Sequence, residues 1–448
     1  MLKIKDSILP NSLPLSLNNV TSCLSDYDPE SLRVEDGKKI IKTFSEIIAR
    51  KLSVEKMPIR DTLGRVLATD VISPINVPSH NNAAMDGYAF NSKILSSDSE
   101  QIIKLNVYGQ IFAGDKMVND KSNDNCYQIM TGAVMPSNCD TVIPQELVEV
   151  HDKQIRFLST AVKPYDNRRL KGEDLQFGKP ALKAGKILRP SDLGLLASLG
   201  MPEVNVFRKL RVSFFSTGDE LKSLGESLPE GCVYDSNRYT IFGMLKRIGV
   251  EIIDLGVVPD NSILLEKAFI SASNSSDVIV TSGGVSVGEA DHTKAVMRKL
   301  GDVDFWKVAM RPGRPMVFGK IWSDKDNKND SYSLLFGLPG NPVAVMVTFY
   351  VFVREAILQM MGSNEFELQL VQIKSAESFK KKPGRTEYRR AKIFKDNDDC
   401  PYIKFTGAQG SGILSSMSEA DCLVVLGHDI VSIKEGDHLP VLLFNGLI

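Results

Sequence analysis

The chain reads as a multidomain α/β plus β protein, centred on a layered α/β unit with a mostly parallel sheet. Three observations predict this. Between residues 204 and 353, short apolar runs alternate with helical patterns, the grammar of a sheet covered by helices on both faces. On either side, at 76–150 and 365–448, strand-like runs are separated by turn residues. The length, 448 residues, exceeds what one ordinary core holds, so two to four domains are expected.

Taken in order, residues 1–33 are polar, are interrupted by Pro10 and Pro14 and show no sustained period, which predicts a mobile extension. Ile40, Ile41, Phe44, Ile47, Ile48 and Leu52 then recur at helical spacing over 34–54. Runs such as Tyr127-Gln128-Ile129-Met130 and Thr141-Val142-Ile143 predict a mostly β region. In the α/β region the expected strands are 210–215, 250–255, 277–280, 303–308 and 333–336, with helices including 241–248 and 263–271. The runs Leu423-Val424-Val425-Leu426 and Pro440-Val441-Leu442-Leu443-Phe444 predict a small barrel or sandwich. No repeat is visible, and 323–331 reads as a polar surface loop.

Composition excludes several functions. Hydrophobic content of 43% and charged content of 24% are those of a globular protein, and a formal net charge of −1 argues against broad nucleic-acid or membrane-surface binding. The six cysteines and five histidines are dispersed, without zinc spacing or a disulfide framework, so a reducing cytoplasm is the expected location. No secretory signal is expected at the N-terminus. In the strongest membrane candidate, 342–361, the unbroken apolar part is short and is followed by Arg354 and Glu355, so it reads as a buried helix.

The most informative stretch is Thr281-Ser282-Gly283-Gly284-Val285-Ser286-Val287-Gly288-Glu289-Ala290-Asp291. A strand precedes it and a helix follows it, so glycines and helix-start amides form a cradle for an anion. Asp291 beside a phosphate implies a cation between them. Asp219, Glu220 and Asp260 follow other strand ends and could share that cation, although each could equally cap or solvate a helix. Asp235 precedes a helix and could cap it. Lys307, Arg311 and Arg314 gather around a turn stiffened by Pro312 and Pro315, the best oxyanion pocket in a nearly neutral chain. The last such loop is Leu338-Pro339-Gly340-Asn341-Pro342. Residues 82–89 and 168–174 read only as a turn and a charged hinge.

Through these residues the chain resembles the molybdopterin molybdenumtransferases: bacterial MoeA and the corresponding E domains of proteins such as gephyrin. The match runs from about Val34 onward through ordered motifs at 82–89, 130–136, 168–174, 216–221, 235–237, 281–294, 311–315, 337–342, 384–391 and 406–421. The resemblance implies a homodimer of four-domain subunits. Its divisions would be a helical and hairpin domain at 34–73 and 172–207, an inserted β domain at 74–171, an α/β molybdopterin-binding domain at 208–360 and a small β-barrel at 361–448. It implies a Mg²⁺-dependent transferase that inserts molybdenum from molybdate into adenylylated molybdopterin and releases AMP.

By position in the matched motifs, Asp86, Thr131, Asp174, Glu220, Asp260, Asp291, Lys307 and Arg311 are the implied catalytic residues, with Glu220, Asp260 and Asp291 on the metal. Ser216, Thr217, Gly218, Asp235, Ser282, Gly283, Gly284, Ser286, Arg314, Pro339, Gly340 and Asn341 would bind the pterin nucleotide. Arg311, Pro312, Arg385 and Ser411 would bind molybdate. Asp86 and Thr131 lie on the inserted domain, so the active site would be shared between subunits. A molybdopterin adenylyltransferase is an implied partner and also the rival reading, against which the flanking domains and 82–89 argue. A scaffold role like gephyrin's has no readable receptor-binding feature. Two departures stand out: Arg311-Pro312-Gly313-Arg314 where Lys-Pro-Gly-Lys is common, and His292 where an aromatic residue is frequent.

Overall fold

The computed structural model describes residues 16–22, 24, 27–98, 100–118, 125–285, 292–323 and 331–444. Its centre is a six-stranded sheet built from β1 (Arg211–Thr217), β2 (Glu251–Val258), β3 (Val278–Ser282), β4 (Gly301–Lys307), β5 (Pro315–Trp322) and β6 (Tyr332–Leu338). The spatial order is β2-β1-β3-β6-β5-β4. Five strands run parallel; β5 alone is antiparallel to both of its neighbours. The sequence reading missed β5, whose Met316-Val317-Phe318 run sits directly behind the prolyl-glycyl turn.

Both faces of this sheet are apolar, as parallel sheets require. One face packs in a cluster containing Phe215, Phe269, Met297 and Val317, under α3 (Ser262–Ser275) and α4 (His292–Leu300). The other packs with Phe214, Phe318 and Phe336 against α1 (Val34–Lys51), α2 (Ser236–Ile248) and the helical segment 342–360. In α1 the expected stripe is present: Ile40, Ile41, Phe44 and Ile48 are buried, while Ile47 is only partly so. Each such side chain contributes about 1.5–3 kcal/mol on burial. The apolar stretch Pro342–Met360 is long enough to cross a membrane, but its most apolar part is 83% buried inside the protein.

The extension expected to be mobile is instead docked over its described residues. Leu17, Val20 and Leu32 are buried in the main core, at 1%, 2% and 1% exposure. The chain then lies along β4, where Lys307 N donates to Pro29 O at 2.7 Å, Leu32 N to Lys307 O at 3.2 Å and Ala309 N to Leu32 O at 2.7 Å. Tyr27 Oη donates to Asp304 at 2.9 Å and accepts from Trp306 Nε1 at 3.1 Å. The exposed edge of the sheet is thereby covered. Sparse apolar residues among polar ones hid this docking from a search for periodicity.

Strand Val54–Pro58 pairs antiparallel with Glu203–Phe207, and Val71–Ile72 with Pro180–Leu182. The chain between these ladders forms a second six-stranded sheet, mixed and mostly antiparallel, with its own small cores. At the C-terminus, strands Val371–Ser375, Thr386–Lys395, Pro401–Phe405, Cys422–Leu426 and His438–Leu443 close into a five-stranded barrel, because Thr386–Lys395 pairs with both Pro401–Phe405 and Cys422–Leu426. One ladder ties this barrel to the α/β unit: Met310 and Arg311 pair in parallel with Thr386 and Glu387.

Candidate active site

The carboxyl ends of the parallel strands and one end of the barrel enclose a cavity of about 1360 Å³. It lies outside the strand ends, where ligands of open α/β sheets bind. Its construction starts from glycines. Gly283 has φ +90°, and a Cβ there would stand 2.2 Å from the Thr217 carbonyl oxygen, so only glycine lets the loops after β1 and β3 meet. Gly313 has φ +99°, with Thr348 Cγ2 2.5 Å from where a Cβ would stand.

Asn237, in the first turn of α2, donates to Ser282 Oγ at 2.8 Å and to Gly340 O at 2.7 Å. One buried amide thus ties α2 to the loops after β3 and β6. Asp235 caps α2, accepting from Arg238 N at 3.1 Å, yet its second oxygen is buried without a hydrogen-bond partner. Ser216 Oγ, Thr217 Oγ1, Thr281 Oγ1 and Asn237 Oδ1 are likewise buried and unpartnered. Such atoms each cost about 1–3 kcal/mol when left unsatisfied. Their convergence at the ends of β1 and β3 suits a polar ligand that completes them.

Charge is segregated across the cavity. Glu220 and Asp260 follow β1 and β2, at one edge of the sheet, and with Asp235 before α2 they form the carboxylate wall. Asp219 accepts from Asp260 N at 3.1 Å, and Thr293 Oγ1 contacts Asp260 Oδ1 at 3.4 Å, which fixes the loop after β2. Arg311 and Arg314 lie between β4 and β5, at the other edge, and with Arg385 and Ser411 of the barrel they form the arginine wall. The barrel ladder brings Arg311 next to the strand that Arg385 precedes, and Val343 N donates to Ser411 O at 3.0 Å, fixing the barrel loop against a helix start.

Of the residues singled out from sequence, Thr217, Gly218, Glu220, Asp235, Asp260, Gly283, Gly284, Arg311, Pro312, Arg314, Pro339, Gly340, Asn341, Arg385 and Ser411 line this cavity. Ser216 and Ser282 lie beneath its floor, 0% and 1% exposed. Ser286 and Asp291 fall outside the described residues. Lys307 is not on the wall: it points to Glu30 of the docked extension and forms an ion pair with it. The sequence reading placed Lys307 in the oxyanion pocket because it took the extension, and with it Glu30, to be mobile.

Asp86, Thr131 and Asp174 are exposed and do not line their own chain's cavity. Asp86 accepts from Thr131 Oγ1 and Thr131 N, both at 2.7 Å, and these bonds hold its carboxyl below the usual range. Sequence reasoning undervalued Asn237, whose amide ties a helix to the ends of two strands, and Gln409, a lining residue in a Gly-rich turn with no chemical motif.

A layered α/β unit and a barrel that share one charge-segregated cavity define a class: a multidomain enzyme acting on a large anionic ligand. Residues 32–200 match the MoeA N-terminal region (domains I and II), 213–359 a probable molybdopterin-binding domain, and 372–444 the MoeA C-terminal region (domain IV). The molybdopterin molybdenumtransferase of Haemophilus influenzae is 39% identical over 395 residues, covering 88% of this chain and 95% of that protein. That of a Nostoc species is 34% identical over 382 residues, covering 85% and 86%. A solved MoeA structure from Pyrococcus horikoshii superposes with a TM-score of 0.74 at 26% identity, covering 93% of this chain and 100% of that one. The chain belongs to the molybdopterin molybdenumtransferase (MoeA) family, whose place is in molybdenum cofactor biosynthesis.

Proposed function

We propose that this chain inserts molybdenum from molybdate into adenylylated molybdopterin, releasing AMP, as a Mg²⁺-dependent transferase. The observation that carries this reading is the segregated charge of one large cavity. Molybdate is a tetrahedral dianion, matched by guanidinium forks and a hydroxyl, and Arg311, Arg385 and Ser411 supply these from two different structural units. Arg314 and the loops at 217–218, 283–284 and 339–341 would bind the phosphates and the pterin, which would satisfy the buried unpartnered oxygens below them.

Glu220 and Asp260 fit Mg²⁺, a hard cation that takes one or two carboxylates together with substrate phosphates. Asp291, the third carboxylate expected on the metal, lies outside the described residues, and among the described residues no group of three or more His, Cys, Asp or Glu could hold a metal. When bound, Mg²⁺ neutralises charge at the phosphoanhydride. The protein's own part is to hold the anhydride against the carboxylate wall and molybdate against the arginine wall, an arrangement of positioning and electrostatics without a covalent nucleophile.

Asp86, Thr131 and Asp174 would complete the cavity of a second subunit in a homodimer, since they are exposed and do not line the cavity of their own chain. A reducing cytoplasm suits the free thiols of Cys126, Cys139, Cys232, Cys400 and Cys422. The test supplies adenylylated molybdopterin, molybdate and Mg²⁺, follows AMP, and asks whether the product activates a cofactor-free molybdoenzyme. AMP release coupled to activation is expected; release without an active product would refute insertion.

A further inference from the structure

Arg390, on strand Thr386–Lys395, is 0% exposed, and no carboxylate pairs with it among the described residues. A buried charge without a counter-ion is costly and rarely kept without use. Its Nη2 donates to Ala408 O at 2.9 Å and Gly410 O at 3.0 Å, while Nε and Nη1 have no partner. Those two carbonyls bracket the turn that leads into Ser411. The turn is gripped from the other side as well. Gln409 Nε2 donates to Arg390 O at 2.9 Å and to Thr406 O at 2.8 Å, and Gln409 Oε1 accepts from Arg390 N at 3.1 Å.

The turn has little rigidity of its own, because Gly407, Gly410 and Gly412 punctuate it. Burial pushes the guanidinium pKa down from its ordinary value, but an arginine starts so high that it keeps its proton. The side chain therefore combines two effects at one place. It orders a glycine-rich loop through two carbonyls, and its charge is little screened because the surroundings are of low dielectric.

We propose that Arg390 is a positioning residue for the oxyanion: it fixes the turn that presents Ser411 and adds an uncompensated positive charge behind the arginine wall. This rests on reading the Ser411 end of the cavity as the oxyanion site. Arg390 does not line the cavity, so it acts through the loop and its field rather than by contact.

The experiment measures molybdate dependence for the full-length protein carrying Arg390→Lys or Arg390→Met, with Arg385→Ala in parallel. Arg390→Lys keeps the charge, but its shorter side chain ends short of the place where Nη2 meets both carbonyls, so half-saturating molybdate should rise about tenfold. Arg390→Met should raise it further. In both, turnover at saturating molybdate and the half-saturating pterin concentration should stay within about twofold, the split expected of a group acting only on oxyanion binding. Amides of residues 408–412 should exchange faster with deuterium. If Arg390→Met does not fold, Arg390→Lys decides. If Arg385→Ala raises the molybdate requirement while folded Arg390 variants leave it unchanged, the positioning role is overturned and the oxyanion site stands. If Arg385→Ala also leaves it unchanged, the oxyanion reading falls and takes the Arg390 role with it.

Discussion

Arg385 reaches the cavity from the barrel and Arg311 from the loop between β4 and β5, so each should contribute a separate charge-assisted contact to molybdate. Arg385→Ala should cost about 1.5–3 kcal/mol, or roughly a ten- to hundredfold higher half-saturating molybdate. Arg311→Lys should be milder, since the positive charge remains. Titrating molybdate at fixed adenylylated pterin checks both. At Gly283 the constraint is steric. Alanine there would combine a left-handed backbone with a 2.2 Å clash against main chain, so the loops after β1 and β3 must part. Gly283→Ala should lose at least about 1–3 kcal/mol of stability, with most of the activity. Denaturant unfolding measures the first, and an unchanged midpoint would show that the loops tolerate separation.

The docked N-terminal segment offers a prediction about pH. Asp304, which accepts from Tyr27, has its carboxyl raised above the ordinary value by burial, with the nearby Asp302 adding to the shift; Arg298 and the bond from Tyr27 oppose it. The folded protein therefore holds this proton more tightly than the unfolded chain. Stability from this group is fullest below the ordinary carboxylate pKa and declines as pH rises through the raised one. Asp304→Asn keeps an acceptor for Tyr27 without the buried charge, so it should stabilise the protein at neutral pH. The gain should shrink as pH falls through the raised pKa and be gone below about 4, near the ordinary Asp value. Thermal unfolding over a pH series checks this, and a gain that persists undiminished in acid would contradict it. Such elements differ in how plainly a sequence shows them. The rim loops were legible because glycine, proline and charged residues punctuate the strand ends, and α1 was legible from its period. Strand β5 was not, since it follows a turn without an intervening helix. Barrel closure depends on Thr386–Lys395 pairing with two distant strands, which no local pattern encodes. Docking of the described residues among 16–33 depends on backbone bonds to β4 and on apolar side chains scattered in sequence, Leu17, Val20 and Leu32.

At the scale of the whole molecule, Asp86 and Thr131 form a bonded pair on the inserted sheet, away from the cavity of their own chain. A homodimer with shared sites predicts complementation. Asp86→Asn and Glu220→Gln subunits, each inactive alone, should recover part of the activity as verified heterodimers, because one of the two cavities would then be intact. Heterodimers as inactive as either parent would place each site within one chain. The family relationship and the parallel-sheet architecture leave one point on which the functional reading turns, the location of the oxyanion between the arginine loop and the barrel. The most direct measurement is a crystal structure of the protein soaked with molybdate. The heavy-atom peak should lie in contact with Arg311, Arg385 and Ser411; a peak outside that group of residues, or none at a saturating concentration, would contradict the assignment.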